Sequence, residues 1–300
     1  MITPTAYDAL PVDLLAELEA AGLDPRAVHA HVLQALAEDV PTEDVTSVAT
    51  IAADARAVGD FGAREAGTVA GLGIAALVFH AVLGDAVEVT DRLPDGTRVR
   101  PGDVVMRVAG PARGLLTAER TALNYASHLS GVATATAAWV DALEGTGAQV
   151  LDTRKTLPTY RALQKYAVRC GGGLNHRTSL SDRAMVKDNH VVAAGGVVPA
   201  YRAVRAAYPD LRVEVEVTDL DQLRELLDAG CEEVLLDNMP TETMAEAVAI
   251  TAGRARLEAS GGLTFDRARE VAATGVDYIS VGALTHSVDV FDLGLDLHEE

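Results

Sequence analysis

Residues 211–262, LRVEVEVTDLDQLRELLDAGCEEVLLDNMPTETMAEAVAITAGRARLEASGG, decide the fold of this chain. Three short apolar runs alternate with two stretches, DLDQLRELLDAG and TETMAEAVAITAG, whose apolar residues recur at helical spacing. Strands buried on both faces and separated by helices are typical of a parallel sheet. The stretch therefore predicts consecutive β–α units of an α/β fold.

The same alternation extends in both directions. AQVLDT (148–153) and AMVKDNH (184–190) precede this stretch, and DYISVGA (277–283) follows it. Six such units could close into a barrel smaller than the eight-stranded type.

The first 130 residues follow another pattern. Helical spacing over 10–37 is broken near Asp24 and Pro25, and turn signals separate short strands over 86–116. Residues 117–143 predict a long helix. The sequence thus predicts a separate N-terminal domain.

The composition excludes several classes of protein. The 300 residues are 49% hydrophobic with a net charge of −19, which argues against a nucleic-acid partner. The longest apolar run, 69–82, is too short to span a bilayer and predicts a buried helix. Cys170 and Cys231 lie far apart in a chain without a recognisable signal peptide, so we expect reduced thiols and a cytoplasmic location.

The positive charge is concentrated in one segment. Between Thr153 and Lys187 there are eight basic residues and one acid, Asp182, and the three lysines of the chain all lie there. A basic island in an acidic protein indicates a local anionic ligand. Arg161, Lys165 and Arg169 recur every four residues, which also fits a solvated helix face.

Polar residues follow nearly every predicted strand. In parallel βα folds, functional residues lie in the loops at the carboxyl ends of the strands. Glu214 and Glu216 alternate with valines and therefore point to one face of their strand. Glu214 could belong to the site or could have a structural role as the partner of a site lysine or arginine. Glu216 and Asp237 suit Mg²⁺ bound together with substrate phosphates. The segment 260–262, Ser-Gly-Gly, offers backbone amides to a phosphate.

The segment LDTRKTLPTYRALQKYAVRCGGGLNHR (151–177) resembles the quinolinate phosphoribosyltransferase family. EDVPTEDVTS, ERTALNYASHLSGVAT, MVKDNH, EVEV, LLDN, LEASGG and VGALTHS extend the resemblance over almost the whole chain, with Glu43 and Thr159 where relatives usually have glycine. The resemblance implies an N-terminal α/β sandwich domain over 1–130, to which 286–300 returns. It implies an α/β barrel of the type II phosphoribosyltransferases over 131–285, and a homodimer or larger assembly with shared active sites.

The family also implies roles for individual residues. Arg154, His176, Arg177 and Lys187 match positions that hold the two carboxylates of quinolinate, and Arg120 matches one contributed by the neighbouring subunit. Lys155 matches a residue near the reacting ribose and pyrophosphate, and Glu216 and Asp237 match acids that bind the ribose hydroxyls and Mg²⁺ and stabilise the sugar cation. The remaining predicted substrate-binding residues are Thr153, Ser260, Gly261, Gly262, Gly282 and Ala283.

The implied reaction joins quinolinate to phosphoribosyl pyrophosphate with loss of carbon dioxide, a step of NAD biosynthesis. Two other readings remain. A sister transferase, either a nicotinate phosphoribosyltransferase or a molybdenum-transport-associated paralogue, would share the fold, although a monocarboxylate needs fewer cations than Arg154, His176, Arg177 and Lys187 supply. A non-catalytic binding protein would not need Lys155, Glu216 and Asp237 together.

Overall fold

The structure, a computed structural model, describes residues 3–299. Residues 1, 2 and 300, which the predicted domain limits include, lie outside the described residues. The chain divides into two compact units. One comprises the chain up to Ala135 with Ala162–Gly172 and the segment from Val288 onward; the other comprises Thr136–Arg161 and Gly173–Ser287.

Two helices of the first unit begin where an aspartate supplies the cap. Its helices are α1 (Val12–Ala20), α2 (Pro25–Asp39), α3 (Val45–Thr50), α4 (Leu72–Leu83), most of α5 (Ala112–Ala142) and most of α6 (Arg161–Cys170). The Asp24 carboxylate accepts from the amides of Arg26 and Ala27, and Pro25 occupies the first helical position, so α2 starts at the predicted break. Helix α5 confirms the long predicted helix and begins five residues earlier.

The first unit contains an antiparallel sheet. Its strands are β1 (Arg56–Ala63), β2 (Gly67–Thr68), β3 (Glu88–Thr90), β4 (Arg98–Val99), β5 (Val104–Pro111) and β12 (Leu293–Glu299). Four of them form a sheet in the order β12-β1-β5-β3, and β2 pairs with β4. The predicted buried apolar helix is α4, where the Phe79 ring meets Phe61 of β1 edge to face at 5.7 Å.

The second unit contains the predicted parallel strands. They are β6 (Gln149–Leu151), β7 (Ala184–Val186), β8 (Val213–Val217), β9 (Glu233–Asp237), β10 (Arg256–Ser260) and β11 (Tyr278–Ser280). The spatial order β6-β11-β10-β9-β8-β7 follows the chain apart from β6, which lies beside the last strand as in a barrel. Leu174 forms a parallel bridge to Leu151 and adds a seventh position to the wall.

Helices connect the strands of the second unit. They are α7 (Asp188–Ala194), α8 (Val197–Ala207), α9 (Leu220–Asp228), α10 (Thr241–Thr251), α11 (Ala268–Ala272) and α12 (Ala283–His286). Leu223, Leu226 and Leu227 of α9 are buried, which is the amphipathic pattern of a helix covering a sheet. The α/β fold class is therefore confirmed.

The basic helix α6 corrects one expectation. Lys165 is only 2% exposed, so Arg161, Lys165 and Arg169 do not form a solvated face. Arg161 instead donates to Thr156 Oγ1 at 3.0 Å and to the carbonyl of Thr178 at 2.9 Å. Spacing alone identified a shared face but not its burial. Within residues 3–299, no helix is long and apolar enough to cross a membrane.

Candidate active site

A cavity of about 500 Å³ lies at the carboxyl end of the parallel strands in the second unit. Eleven of the fourteen predicted site residues line it: Thr153, Arg154, Lys155, His176, Arg177, Lys187, Glu216, Asp237, Ser260, Gly261 and Gly262. The other lining residues are Met185, Leu235, Asn238, Glu258 and Ser280. Side chains separated by up to 127 residues in sequence therefore share one cavity.

The cavity has a polar rim and a floor set by strand periodicity. Residues two apart on a strand share a face and lie about 6.6 Å apart along it. Leu235 accordingly lies below Asp237, and Glu258 below Ser260. Parallel register places Glu216, Leu235 and Glu258 at one level across three strands.

Two arginines give the cavity an uncompensated positive charge. Arg154 and Arg177 have no ion pair with an acid in the described part of the chain, and the Arg154 Nε is buried without a hydrogen-bond partner. Burial lowers the pKa of Arg177, and the positive charge of Arg154 lowers it further. Two guanidinium groups held in this way favour an anionic ligand.

Hydrogen bonds from Asp152 fix the segment that carries His176 and Arg177. The buried Asp152 carboxylate follows β6 and accepts from the amide of His176 at 2.8 Å and from Asn175 Nδ2 at 2.6 Å. These bonds tie the Asn-His-Arg sequence to the strand end. Asp152 thus has a structural role, because it holds the segment from which Arg177 lines the cavity.

His176 is held from both ring nitrogens. Nε2 lies 2.9 Å from Glu214 and 3.4 Å from Glu258, and the amide of Arg177 donates to Nδ1 at 2.7 Å. Burial alone would lower the pKa of His176, but the neighbouring carboxyl groups of Glu214 and Glu258 outweigh it and raise the pKa to about 9. The amide at Nδ1 acts in the opposite direction because it requires a lone pair there. His176 therefore bonds to the protein rather than offering a free N–H to the cavity.

Glu214 has a structural role here, which is one of the two roles predicted for it. It is 1% exposed and is paired with Arg183 at 3.2 Å as well as with His176. Burial would raise its pKa, but these two cations hold the pKa below its usual range. Ligand atoms of His176, Glu214 and Glu258 lie within 4.8 Å of one another, a spacing that could hold a metal ion, but Arg183 already supplies a cation to this cluster.

Lys187 and Glu216 are paired with each other across the cavity mouth. Lys187 Nζ lies 2.8 Å from Glu216 Oε2, and the lysine side chain is 45% exposed. The Glu216 side chain is only 11% exposed, so the pair is half-buried, with the lysine at its accessible end. A carboxylate approaching Lys187 or a cation approaching Glu216 would each compete for the pair.

The loop after β10 is shaped for close approach of a ligand. Gly261 and Gly262 have φ values of 93° and 56°, a region that favours glycine. A Cβ on Gly261 would meet Asn238, whose side chain donates to Asp237 Oδ1 at 2.9 Å. The two strand-end loops therefore support each other, and Asn238 orients Asp237.

Three predicted residues do not line this cavity. Arg120 is exposed on α5 in the first unit, and Ala283 is exposed at the start of α12. Gly282 lies close by, since a Cβ there would meet Lys155 Cδ at 3.0 Å. Sequence reasoning did not single out the cavity residues Met185 and Leu235, although their position two residues before a predicted rim residue was a usable signal, and it placed Glu258 among the polar strand ends without a role. Ser280 bonds to Ser260 Oγ at 3.0 Å, as expected of a satisfied strand hydroxyl, and also lines the cavity.

Comparison with known proteins places the chain in a family. Residues 44–130 match the N-terminal domain of quinolinate phosphoribosyl transferase, and residues 132–296 match its C-terminal domain. A cavity lined by arginines, lysines and carboxylates is thus found in a chain with both domains of one enzyme family. The chain belongs to the quinolinate phosphoribosyltransferase family.

Individual relatives agree over most of their length. The chain is 53% identical over 258 residues to the nicotinate-nucleotide pyrophosphorylase [carboxylating] of Mycobacterium leprae, covering 85% of this chain and 91% of that protein. It is 39% identical over 261 residues to the probable enzyme of that name from Bacillus subtilis, covering 87% and 90%. The crystal structure of NadC from Streptococcus pyogenes superimposes with a TM-score of 0.89 at 40% identity, covering 93% and 99%.

Proposed function

We propose that this protein transfers the phosphoribosyl group of phosphoribosyl pyrophosphate to quinolinate and releases pyrophosphate and carbon dioxide, giving nicotinate mononucleotide. The observation that carries the proposal is the division of charge in the cavity. Arg154 and Arg177 lack an acid partner in the described chain, while Glu216 and Asp237 end two adjacent strands. A dicarboxylate needs the first group, and a sugar that becomes cationic needs the second.

Quinolinate would bind between the basic groups. Arg154 and Arg177 offer planar sets of donors that suit carboxylates, and Lys187 adds a mobile ammonium group. Thr153 lies beside Arg154 at the end of β6. His176, fixed by Glu214, would form part of the wall that the ring contacts. Arg154, Arg177 and Lys187 would thus bind quinolinate as predicted, whereas His176 would shape the cavity wall.

Phosphoribosyl pyrophosphate would bind on the other side of the cavity. The positive-φ loop Gly261–Gly262 exposes backbone next to Ser260, which suits a phosphate. Lys155 is exposed next to Gly282 and would reach the pyrophosphate. Ala283 would contact the substrate from the start of α12.

Glu216 and Asp237 fit a hard divalent cation. Both are carboxylates at the ends of adjacent parallel strands, and each has one oxygen without a hydrogen bond from another described residue. Mg²⁺ is usually held by one or two carboxylates together with substrate phosphates. Bound here, it would offset the negative charge of the leaving pyrophosphate.

The chain's own groups then account for the chemistry. Glu216 and Asp237 stabilise positive charge as the bond from the anomeric carbon to pyrophosphate breaks. Arg154, Arg177 and Lys187 orient the ring so that its nitrogen attacks that carbon. The positive nitrogen of the resulting pyridinium stabilises the electron pair left on C2 when carbon dioxide departs, so decarboxylation requires no further cofactor.

Arg120 would complete the site from a second subunit of a homodimer or larger assembly. It is exposed on α5. The family resemblance implies that the residue at this position is contributed by the neighbouring subunit. The test mixes two inactive variants, Arg120→Ala and Lys187→Ala, under conditions of subunit exchange. If sites are shared, hybrid dimers regain one intact site, and the mixture recovers about a quarter of wild-type activity. A mixture as inactive as its components would reject sharing.

The function itself is tested by incubating the full chain with phosphoribosyl pyrophosphate, Mg²⁺ and either quinolinate or nicotinate. The proposal predicts consumption of quinolinate with equal amounts of carbon dioxide and pyrophosphate, and no consumption of nicotinate. Turnover of nicotinate in place of quinolinate would indicate a sister transferase. Turnover of neither would favour a binding protein.

A further inference from the structure

Glu258 is a buried acid in the cavity that neither proposed substrate subsite uses. It lies on the central strand β10, two residues before Ser260, and is 2% exposed. Among the described residues its Oε2 forms no well-directed hydrogen bond, its nearest cation being His176 Nε2 at 3.4 Å, and the side chain lines the cavity. A polar atom that is buried without a well-directed hydrogen bond is costly, so its presence in the cavity requires an explanation.

The neighbours of Glu258 determine its protonation state. His176 Nε2 is closer to Glu214, at 2.9 Å, than to Glu258, at 3.4 Å. Glu214 has a second cation in Arg183 at 3.2 Å. The available positive charge is therefore directed to Glu214, and Glu258 is left as the less compensated carboxyl group of the two.

Two buried carboxylates at this spacing do not both ionise readily. Burial raises the pKa of Glu258, and the negative charge of Glu214 raises it further. Glu258 therefore retains a proton while Glu214 is ionised, and the cavity floor presents a carboxylic acid. An acid and a carboxylate with different environments is the usual pattern of acid–base pairs in active sites.

We infer that Glu258 donates the proton that replaces the departing carboxylate at C2 of the pyridinium ring. This inference rests on the proposed function. Loss of carbon dioxide breaks the bond from C2 to the carboxylate carbon and leaves an electron pair on C2. That pair takes the proton from Glu258, a C–H bond forms, and Glu258 becomes a carboxylate beside His176. A proton from water restores the acid after product leaves.

The other donors that line the cavity are less suited to this step. Arg154 and Arg177 remain protonated at all accessible pH values and do not give up a proton. Lys155 and Lys187 must stay charged to hold pyrophosphate and a carboxylate, both ring nitrogens of His176 are already bonded to the protein, and serine and threonine hydroxyls are weak acids. Glu216 and Asp237 are less buried than Glu258 and lie near Lys187 and Asn238. Glu258 is thus the fully buried carboxyl group among the lining residues.

Replacing Glu258 by glutamine tests the inference because the amide keeps the shape but cannot transfer an acidic proton. The full chain is given quinolinate, phosphoribosyl pyrophosphate and Mg²⁺, and pyrophosphate, carbon dioxide and both mononucleotides are followed in one turnover. Glu258→Gln should form pyrophosphate at nearly the wild-type rate but nicotinate mononucleotide about 100-fold more slowly, so the dicarboxylate nucleotide accumulates. Glu233→Gln is the matched control, since Glu233 pairs with Arg183 at 2.5 Å and does not line this cavity.

The outcomes separate cleanly. Equal rates of pyrophosphate and carbon dioxide release in Glu258→Gln, whether both normal or both reduced, would overturn the inference. If the glutamine variant does not fold, Glu258→Asp carries the test, because it keeps an acid but withdraws it by one methylene. That variant should also accumulate dicarboxylate nucleotide, and a wild-type product ratio would overturn the inference. Failure of the wild type to release carbon dioxide from quinolinate would instead reject the proposed function.

Discussion

The two ends of the parallel sheet each have a cavity, and the cavities differ in how their charges are matched. The carboxyl end holds about 500 Å³ and the amino end about 550 Å³. At the amino end, Arg256 pairs with Asp277 at 2.5 Å, and Arg212, on the adjoining surface, pairs with Glu233. At the carboxyl end, Arg154 and Arg177 have no acid partner among residues 3–299.

The comparison indicates that uncompensated charge, rather than cavity size, marks the site. Charges that neutralise one another stabilise the fold or lie inert at the surface, whereas charges left unmatched near a cavity are available to a ligand. Arg183 connects the two ends, since it pairs with Glu214 at 3.2 Å and with Glu233 at 2.5 Å. One cation is thus shared by an acid at each end, whereas Arg154 and Arg177 share no such pair in the described chain.

Removing divalent cations should give the largest effect. The carboxylates Glu216 and Asp237 end adjacent strands, so a chelator should reduce turnover about 1,000-fold by removing charge compensation for pyrophosphate. Steady-state rates with and without a chelator, and after Mg²⁺ is restored, measure this. Quinolinate binding, followed by calorimetry, should persist. Full turnover in the chelator would contradict a metal at these carboxylates.

Removing one unmatched arginine should give the next largest effect. Arg154→Ala should lower kcat/KM for quinolinate about 100-fold, because a carboxylate loses a charge-assisted pair of hydrogen bonds. Arg256→Ala removes a paired arginine at the amino end and should keep activity within about twofold. Equal losses in the two variants would remove the distinction between the ends.

The buried histidine predicts a pH dependence of stability. The pKa of His176 is raised from 6.5 to about 9, so the stabilising contribution is fully present below pH 6.5 and is lost as the pH rises through about 9. We expect the free energy of unfolding to fall by ~1–3 kcal/mol across that window. Denaturant unfolding at several pH values measures it. His176→Gln should lack this fall, and a flat profile in the wild type would contradict the charged pair with Glu214.

The smallest effect concerns a loop beside the basic segment. Thr159 has a φ of 63°, a left-handed conformation that is costly for a β-branched residue. Thr159→Gly should therefore raise the free energy of unfolding by about 1 kcal/mol. Unfolding curves of the two proteins test this, with Thr146→Gly in another loop as the comparison. A destabilised Thr159→Gly variant would show that the side chain compensates for the strain.

The sequence predicted the parallel strands and most of the cavity because both depend on local patterns. Short apolar runs that end in polar residues located all six parallel strands, and residues such as Arg154, Glu216 and Asp237 followed from them. The family resemblance supplied their roles. These roles remain predictions that the experiments above test.

Sequence patterns could not show which polar groups neutralise one another. Lys165 has the spacing of a surface residue yet is buried, and the pairing of Lys187 with Glu216 joins positions 29 residues apart. Glu258 could be placed among the polar strand ends from the sequence, but its partners could not. Its distance from His176 and the use of Arg183 by Glu214 depend on the packing of several strands. Such partners become visible only in three dimensions.

Calorimetric titration of the full chain with quinolinate and with nicotinate tests the central claim most directly. Unmatched cations at the carboxyl end should bind the dicarboxylate about 100-fold more tightly, since a missing carboxylate leaves a buried charge without a partner. The difference should vanish in Arg154→Ala and persist in Arg256→Ala. Equal affinities of the wild type for the two acids would contradict the account.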